Sequence, residues 1–148
     1  MGKLTYELVA GDRDLKGAFD VRRQVFVGEQ GIPEDLVFDD RDREALHVVV
    51  KDGEQVIGTA RVLFLADGRA KLERMAVTEA FRRKGIGRRI ISFLNEVLRN
   101  KQVEHVVLHA QLGVVEFYKS CGFEQSGLPF WEADIKHTKM QRRLSHGP

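Results

Sequence analysis

Arg82-Arg83-Lys84-Gly85-Ile86-Gly87 is the segment of this chain best suited to hold an anion. Where a strand passes through such a loop into a helix, backbone N–H groups converge and the positive end of the helix dipole adds to them. Glycines at 85 and 87 let a bulky anion approach the backbone, and Arg82, Arg83, Lys84 and Arg88 supply charge-assisted bonds to phosphate oxygens. The same cluster would also serve as the solvated start of a basic helix. It is not a P-loop, because Lys84 precedes Gly85 and no Ser or Thr follows, and it lacks the third glycine of a dinucleotide fingerprint. Side chains whose chemistry can carry a proton lie elsewhere, among them the phenol of Tyr118, the imidazole of His137 and the carboxylate of Glu73. Cys121 has no evident base beside it and reads as a small packing residue.

The elements that must position these groups follow from periodicity. Leu4 to Val9 reads as a strand, and Asp12 as the N-cap of a helix carrying Leu15, Phe19, Val25 and Phe26 and ending near Gly28. Gly28 to Glu44 is a long loop with room for a short helix, its acids Asp35, Asp39, Asp40, Asp42 and Glu44 reading as a solvated run. His47 to Lys51 and Gln55 to Leu65 form a hairpin at Asp52-Gly53, and Asp67-Gly68 turns the chain into Lys71 to Val77. Ile86, Ile90, Leu94 and Val97 line one face of a helix reaching about Asn100. Val106-Val107-Leu108 is then a buried strand, parallel to Lys71 to Val77 through a crossover. A helix through Val114, Val115, Phe117 and Tyr118 ends at Cys121-Gly122. Two more strands are expected around Gly127-Leu128-Pro129.

Composition bounds the function. The chain has 148 residues, 43% hydrophobic and 31% charged, with three prolines and one cysteine, which fits one domain over residues 1–148 with no intrachain disulfide. The N-terminus from Met1-Gly2 lacks a secretory core, and no apolar stretch is long enough to span a bilayer. A cytoplasmic location is therefore expected. A net charge of +2, with the densest cluster of cations confined to one loop and no interleaved aromatics, argues against nucleic acid as a partner. His47, His105, His109, His137 and His146 show no metal-ligand spacing, so no metal is expected.

Arg82, Gly85 and Gly87 match the signature of the GNAT superfamily of acyl-CoA-dependent N-acetyltransferases: Arg or Gln, two residues, Gly, any residue, then Gly or Ala. Leu72-Glu73-Arg74-Met75-Ala76-Val77 resembles that family's central strand. His109-Ala110-Gln111 through Tyr118 to Gly122-Phe123 is similar to its second motif. The segment Phe19 to Pro33 resembles a small bacterial subgroup, and His137 with Met140 is similar to the ending of the glyphosate N-acetyltransferase branch. The resemblance implies an α+β fold: a mixed, mostly antiparallel sheet of about six to seven strands, splayed between the fourth and fifth, flanked by about four helices.

It also implies acetyl-CoA as cosubstrate, direct attack by a primary amine of a small molecule or peptide, and possible partners limited to that amine and a second copy of the chain. Met75, Ala76, Val77, Arg82, Arg83, Lys84, Gly85, Ile86, Gly87, Arg88, Gln111, Phe117 and Tyr118 would hold the cosubstrate. Many members carry Asn where this chain has Gln111, whose amide can still bond the pantetheine arm. Tyr118 would protonate the CoA sulfur. His137 and Glu73 compete for the role of base. Arg22, Glu29 and Gln30 are candidates to bind the acceptor. A catalytically silent CoA-binding module is the alternative.

Overall fold

Glycine-centred turns organise the first half of the sheet. In the computed structural model, which describes residues 3–144, β1 (Leu4–Leu8) pairs antiparallel with β2 (Leu46–Asp52), and β2 with β3 (Gln55–Phe64). Gly53 takes the left-handed conformation at the hairpin, and Asp67-Gly68 does so where β3 turns into β4 (Arg69–Val77). Met1, Gly2 and His146 lie outside the described residues.

The first helix, α1 (Asp12–Arg22), is capped by Gly11 and not by Asp12, which instead occupies the first turn with Asp14. Carboxylates there oppose the positive helix end. Regular α-helix stops at Arg22, six residues before Gly28, and Arg23–Glu29 continues as a π-helix. That wider turn keeps Val21 and Val25 packed on Ala76 while Phe26, Glu29 and Gln30 come to line a cleft. The acid-rich loop folds into α2 (Glu34–Val37) and a 3-10 turn at Asp40–Arg43.

α3 (Ile86–Asn100) crosses from β4 to β5 (His105–Gln111), which is parallel to β4. Its buried face is Ile86, Ile90, Leu94 and Leu98, with Ile91 and Asn95 beside it, so Leu98 takes the place expected for Val97. α4 (Val115–Ser120) follows, and then three strands and not two: β6 (Glu124–Gln125), β7 (Phe130–Glu132) and β8 (Ile135–Arg143). The additional reversal, between β7 and β8, is made by Ala133 and Asp134, both left-handed although neither is glycine. The result is a mixed α/β fold with an eight-stranded, mostly antiparallel sheet in the order β1-β2-β3-β4-β5-β8-β6, with β7 also on β8.

The two faces of this sheet carry different chemistry. Val48, Val50, Val62, Leu72 and Leu108 meet α3 and α4 in the main apolar core. On the other face, His47, Arg61 and Glu73 are cross-strand neighbours on β2, β3 and β4. Among the described residues, no helix is long and apolar enough to cross a membrane.

Candidate functional site

β4 and β5 pair only through Arg69–Lys71 against His105–Val107, after which the strands separate. Among the described residues the β5-facing edge of β4 has no strand partner beyond Lys71, and a cleft of about 660 Å³ opens between the two strands. A bulge aims the residues of β4 into it. Arg74 is left-handed at φ 54°, and the register against β3 shifts at that point. Leu72 and Met75, three residues apart, thus both pack on the main core, whereas unbroken alternation would put them on opposite faces. Arg74 is tied down by Nε donating to Val37 O at 3.0 Å and Nη2 to Leu36 O at 3.2 Å.

Most residues singled out in the sequence meet at this cleft. Met75, Ala76, Val77, Gln111, Phe117 and Tyr118 line it, as do Glu29, Gln30, Glu73, Arg82 and His137. Gln111 Nε2 donates to Gln30 Oε1 at 2.9 Å, bridging β5 and the segment after α1. Arg82 donates from Nε to Val77 O at 2.9 Å and pairs with Glu29 at 2.8 Å, so these two charges neutralise each other across the cleft wall. The basic loop sits beside the cleft. Gly85, at φ 78°, caps α3 with no side-chain hydrogen bond, leaving the first-turn N–H groups without a side-chain partner. Arg83 and Lys84 are exposed, Ile86 turns its side chain into the core, and a methyl group on Gly87 would come within 3.2 Å of Phe117. Arg88 turns to α4, donating to Ser120 Oγ at 2.7 Å and Ser120 O at 3.0 Å. These features fit a pyrophosphate-bearing chain: an uncapped helix end, an unpaired strand edge and apolar walls.

Tyr118 is nearly enclosed, and burial, then the neighbouring Cys121, pushes its phenol well above the ordinary value. It therefore stays protonated across the physiological range and can give up a proton but cannot serve as a base. His137 is buried, with Nδ1 2.7 Å from Ile135 O. A carbonyl can only accept, so Nδ1 carries a proton, and in the neutral ring the lone pair is on Nε2. Glu73 lies 3.1 Å from Lys71 and 2.8 Å from Arg61. Burial pushes its carboxyl up, but Lys71 and Arg61 together outweigh this and hold it below the usual carboxylate range. A carboxylate so stabilised is a weak base.

Arg22 does not belong to the acceptor surface. Its side chain is fully buried behind the sheet, with Nη1 2.8 Å from Asp42 and the guanidinium over Phe19 and Phe38 at 4.9 and 5.7 Å. The acidic run is also not simply solvated. Asp39 binds Arg61 through both oxygens, at 2.7 and 2.9 Å, and Asp42 binds Arg61 at 2.8 Å. Arg61, by holding Asp39, Asp42 and Glu73, joins the loop before β2 to the floor of the cleft. The sequence does not single out Arg61, and its only signal is a charge in an otherwise uncharged strand. Lys71, Arg74, His109 and Glu132 also line the cleft unannounced.

The comparisons with known proteins agree with this architecture. Residues 22–144 match the model of the acetyltransferase (GNAT) domain family. The uncharacterized N-acetyltransferase YjcF of Bacillus subtilis is 35% identical over 136 residues, covering 91% of this chain and 96% of that one. A solved Lactobacillus plantarum protein assigned as an N-acetyltransferase superposes with a TM-score of 0.91 at 26% identity, covering 96% of this chain and 99% of its own. Escherichia coli ElaA shares the fold at a TM-score of 0.84 and 23% identity, over 95% of this chain and 99% of its own. An acyl-CoA cosubstrate goes with this fold, and the chain belongs to the GNAT acetyltransferase family.

Proposed function

We propose that the chain, acting as one domain, transfers an acetyl group from acetyl-CoA to the amine of a small molecule or peptide by direct attack within a ternary complex. The observation that carries this reading is one cleft that joins the unpaired edge of β4 to His137, with the α3 N-terminus, which has no side-chain cap, beside it. Acetyl-CoA supplies the activated acetyl group as a thioester. The loop from Arg82 to Arg88 receives its pyrophosphate on backbone N–H groups, and the exposed Arg83 and Lys84 add charge. Backbone groups of β4 around Met75 and Ala76 orient the acyl group and favour negative charge on its oxygen. His137 Nε2 takes a proton from the acceptor amine, and Tyr118 gives one to the departing sulfur. His137 is preferred to Glu73 as base because Glu73 is held ionised by two cations.

Calorimetry with acetyl-CoA and thiol release with an amine panel test this reading. Tyr118→Phe is expected to lower turnover about 100-fold while leaving acetyl-CoA affinity within about threefold. Unchanged turnover would remove Tyr118 from the mechanism. Acetyl-CoA binding without thiol release on any amine would instead assign the chain as a silent binding module, and no binding at all would overturn both.

A further inference from the structure

Three adjacent strands place His109 on β5, His137 on β8 and Glu132 on β7, all lining the cleft. Glu132 Oε1 is 3.0 Å from His109 Nδ1, which fixes one carboxylate oxygen. The other, Oε2, faces His137 Nε2 across 3.9 Å, too far for a direct hydrogen bond. Because Ile135 O engages Nδ1–H, the neutral His137 ring presents a lone pair to this gap. Phe130 keeps both imidazoles in place, edge-on to His109 at 4.9 Å and stacked with His137 at 6.0 Å. The two acceptors facing each other are thus a neutral nitrogen and a carboxylate oxygen, and a nitrogen donating to both at about 2.8 Å spans their separation.

We infer that Glu132 and His137 together form the receptor for an aliphatic ammonium group, and hence that the acceptor is a primary alkylamine that enters charged. This rests on the acetyl-transfer reading above. Glu132 accepts one N–H of the cation and supplies the counter-charge, while His109 positions the carboxylate without touching substrate. His137 Nε2 removes one proton, leaving a neutral amine whose lone pair forms the C–N bond to the acetyl carbon as the C–S bond breaks. Tyr118 protonates the sulfur, the new amide's surplus proton restores the phenol, and the imidazolium returns its proton to solvent past the half-exposed Glu132. An arylamine, neutral at the same pH, has no use for the carboxylate.

Steady-state kinetics on the full chain, with acetyl-CoA and matched panels of primary alkylamines and arylamines, test this. Glu132→Gln is expected to raise KM for alkylamines about 10- to 100-fold, with kcat within about threefold and arylamine constants unchanged. His109→Asn should move KM the same way by less, with acetyl-CoA affinity preserved in both variants as the check on folding. An unchanged alkylamine KM in Glu132→Gln, an equal loss on both panels, or a wild-type protein that turns over only arylamines would each overturn the inference while leaving acetyl transfer standing. A wild-type protein inactive on both panels would overturn the acetyl-transfer reading and this inference with it.

Discussion

Removing an arginine from water is costly unless its charge is met, and Arg61, at 1% exposure, is met by three carboxylates. Asp39 is drawn down to about 2, chiefly by its hydrogen bonds to Arg61. Arg61→Met should therefore cost about 3 to 5 kcal/mol in urea denaturation, because Asp39, Asp42 and Glu73 would lose the shared charge that holds them together, with only Arg74, Arg22 and Lys71 left to offset their repulsion. Arg13→Met, which breaks an exposed pair with Glu54, should stay within about 0.5 kcal/mol. Equal effects of the two would mean that the buried cluster is not what binds the loop before β2 to the sheet. At this scale the sequence is only partly legible. The basic loop announces itself by type and local spacing, and Tyr118 and His137 are singled out by the resemblance of their surroundings to a family's motifs. Arg61 does not, since Asp39 and Asp42 lie 22 and 19 residues before it and look no different from their solvent-exposed neighbours Asp35, Asp40 and Glu44.

α1 lies on the sheet at a distance set by one missing side chain. A Cβ on Gly17 would come within 2.5 Å of Val56 Cγ2 and 2.9 Å of Val56 Cβ, closer than packed atoms allow. Gly17→Ala gains helix propensity, yet the clash should win, with a net loss of about 1 to 3 kcal/mol in denaturant unfolding. Adding Val56→Ala removes the 2.5 Å contact and should recover part of it, whereas a stabilised Gly17→Ala would show that α1 can lift from β3 without cost. Elements defined by periodicity or by glycine turns were readable: the β2–β3 hairpin, β4, the face of α3 and the crossover into β5. Features made by non-glycine residues in left-handed conformations were not. The bulge at Arg74 and the turn at Ala133-Asp134 each put an ordinary side chain where it costs about 1 to 2 kcal/mol, and tertiary contacts, such as Arg74 with the carbonyls of Leu36 and Val37, hold them there. Both features shape the cleft, since Arg74 and Ala133 line it.

Across the molecule, the face of the sheet behind the cleft makes stability depend on pH in two steps. His47 Nε2 is 2.9 Å from Asp42 O and therefore carries the proton, while Nδ1, 3.4 Å from Arg22 Nη2, accepts. Burial, with Arg22 beside it, lowers the His47 value below 6.5, because a second proton would set an imidazolium N–H against a guanidinium. Asp39 is lowered to about 2, and Asp42 and Glu73 are also lowered, their cations outweighing the opposing effect of burial. In all four cases the unfolded chain binds protons at a higher pH than the folded one, so stability falls as pH falls. His47 acts first, as pH drops through 6.5, and the carboxylates follow below the unfolded values of 4.5 and 3.8, continuing toward about 2. Thermal unfolding from pH 8 to 3 should thus show a shallow decline and then a steep one. His47→Gln keeps a neutral side chain able both to donate and to accept, so it should flatten the upper decline and leave the lower one in place. If that variant loses stability between pH 7 and 5 as steeply as the wild type, His47 is not the group that links this buried face to the proton.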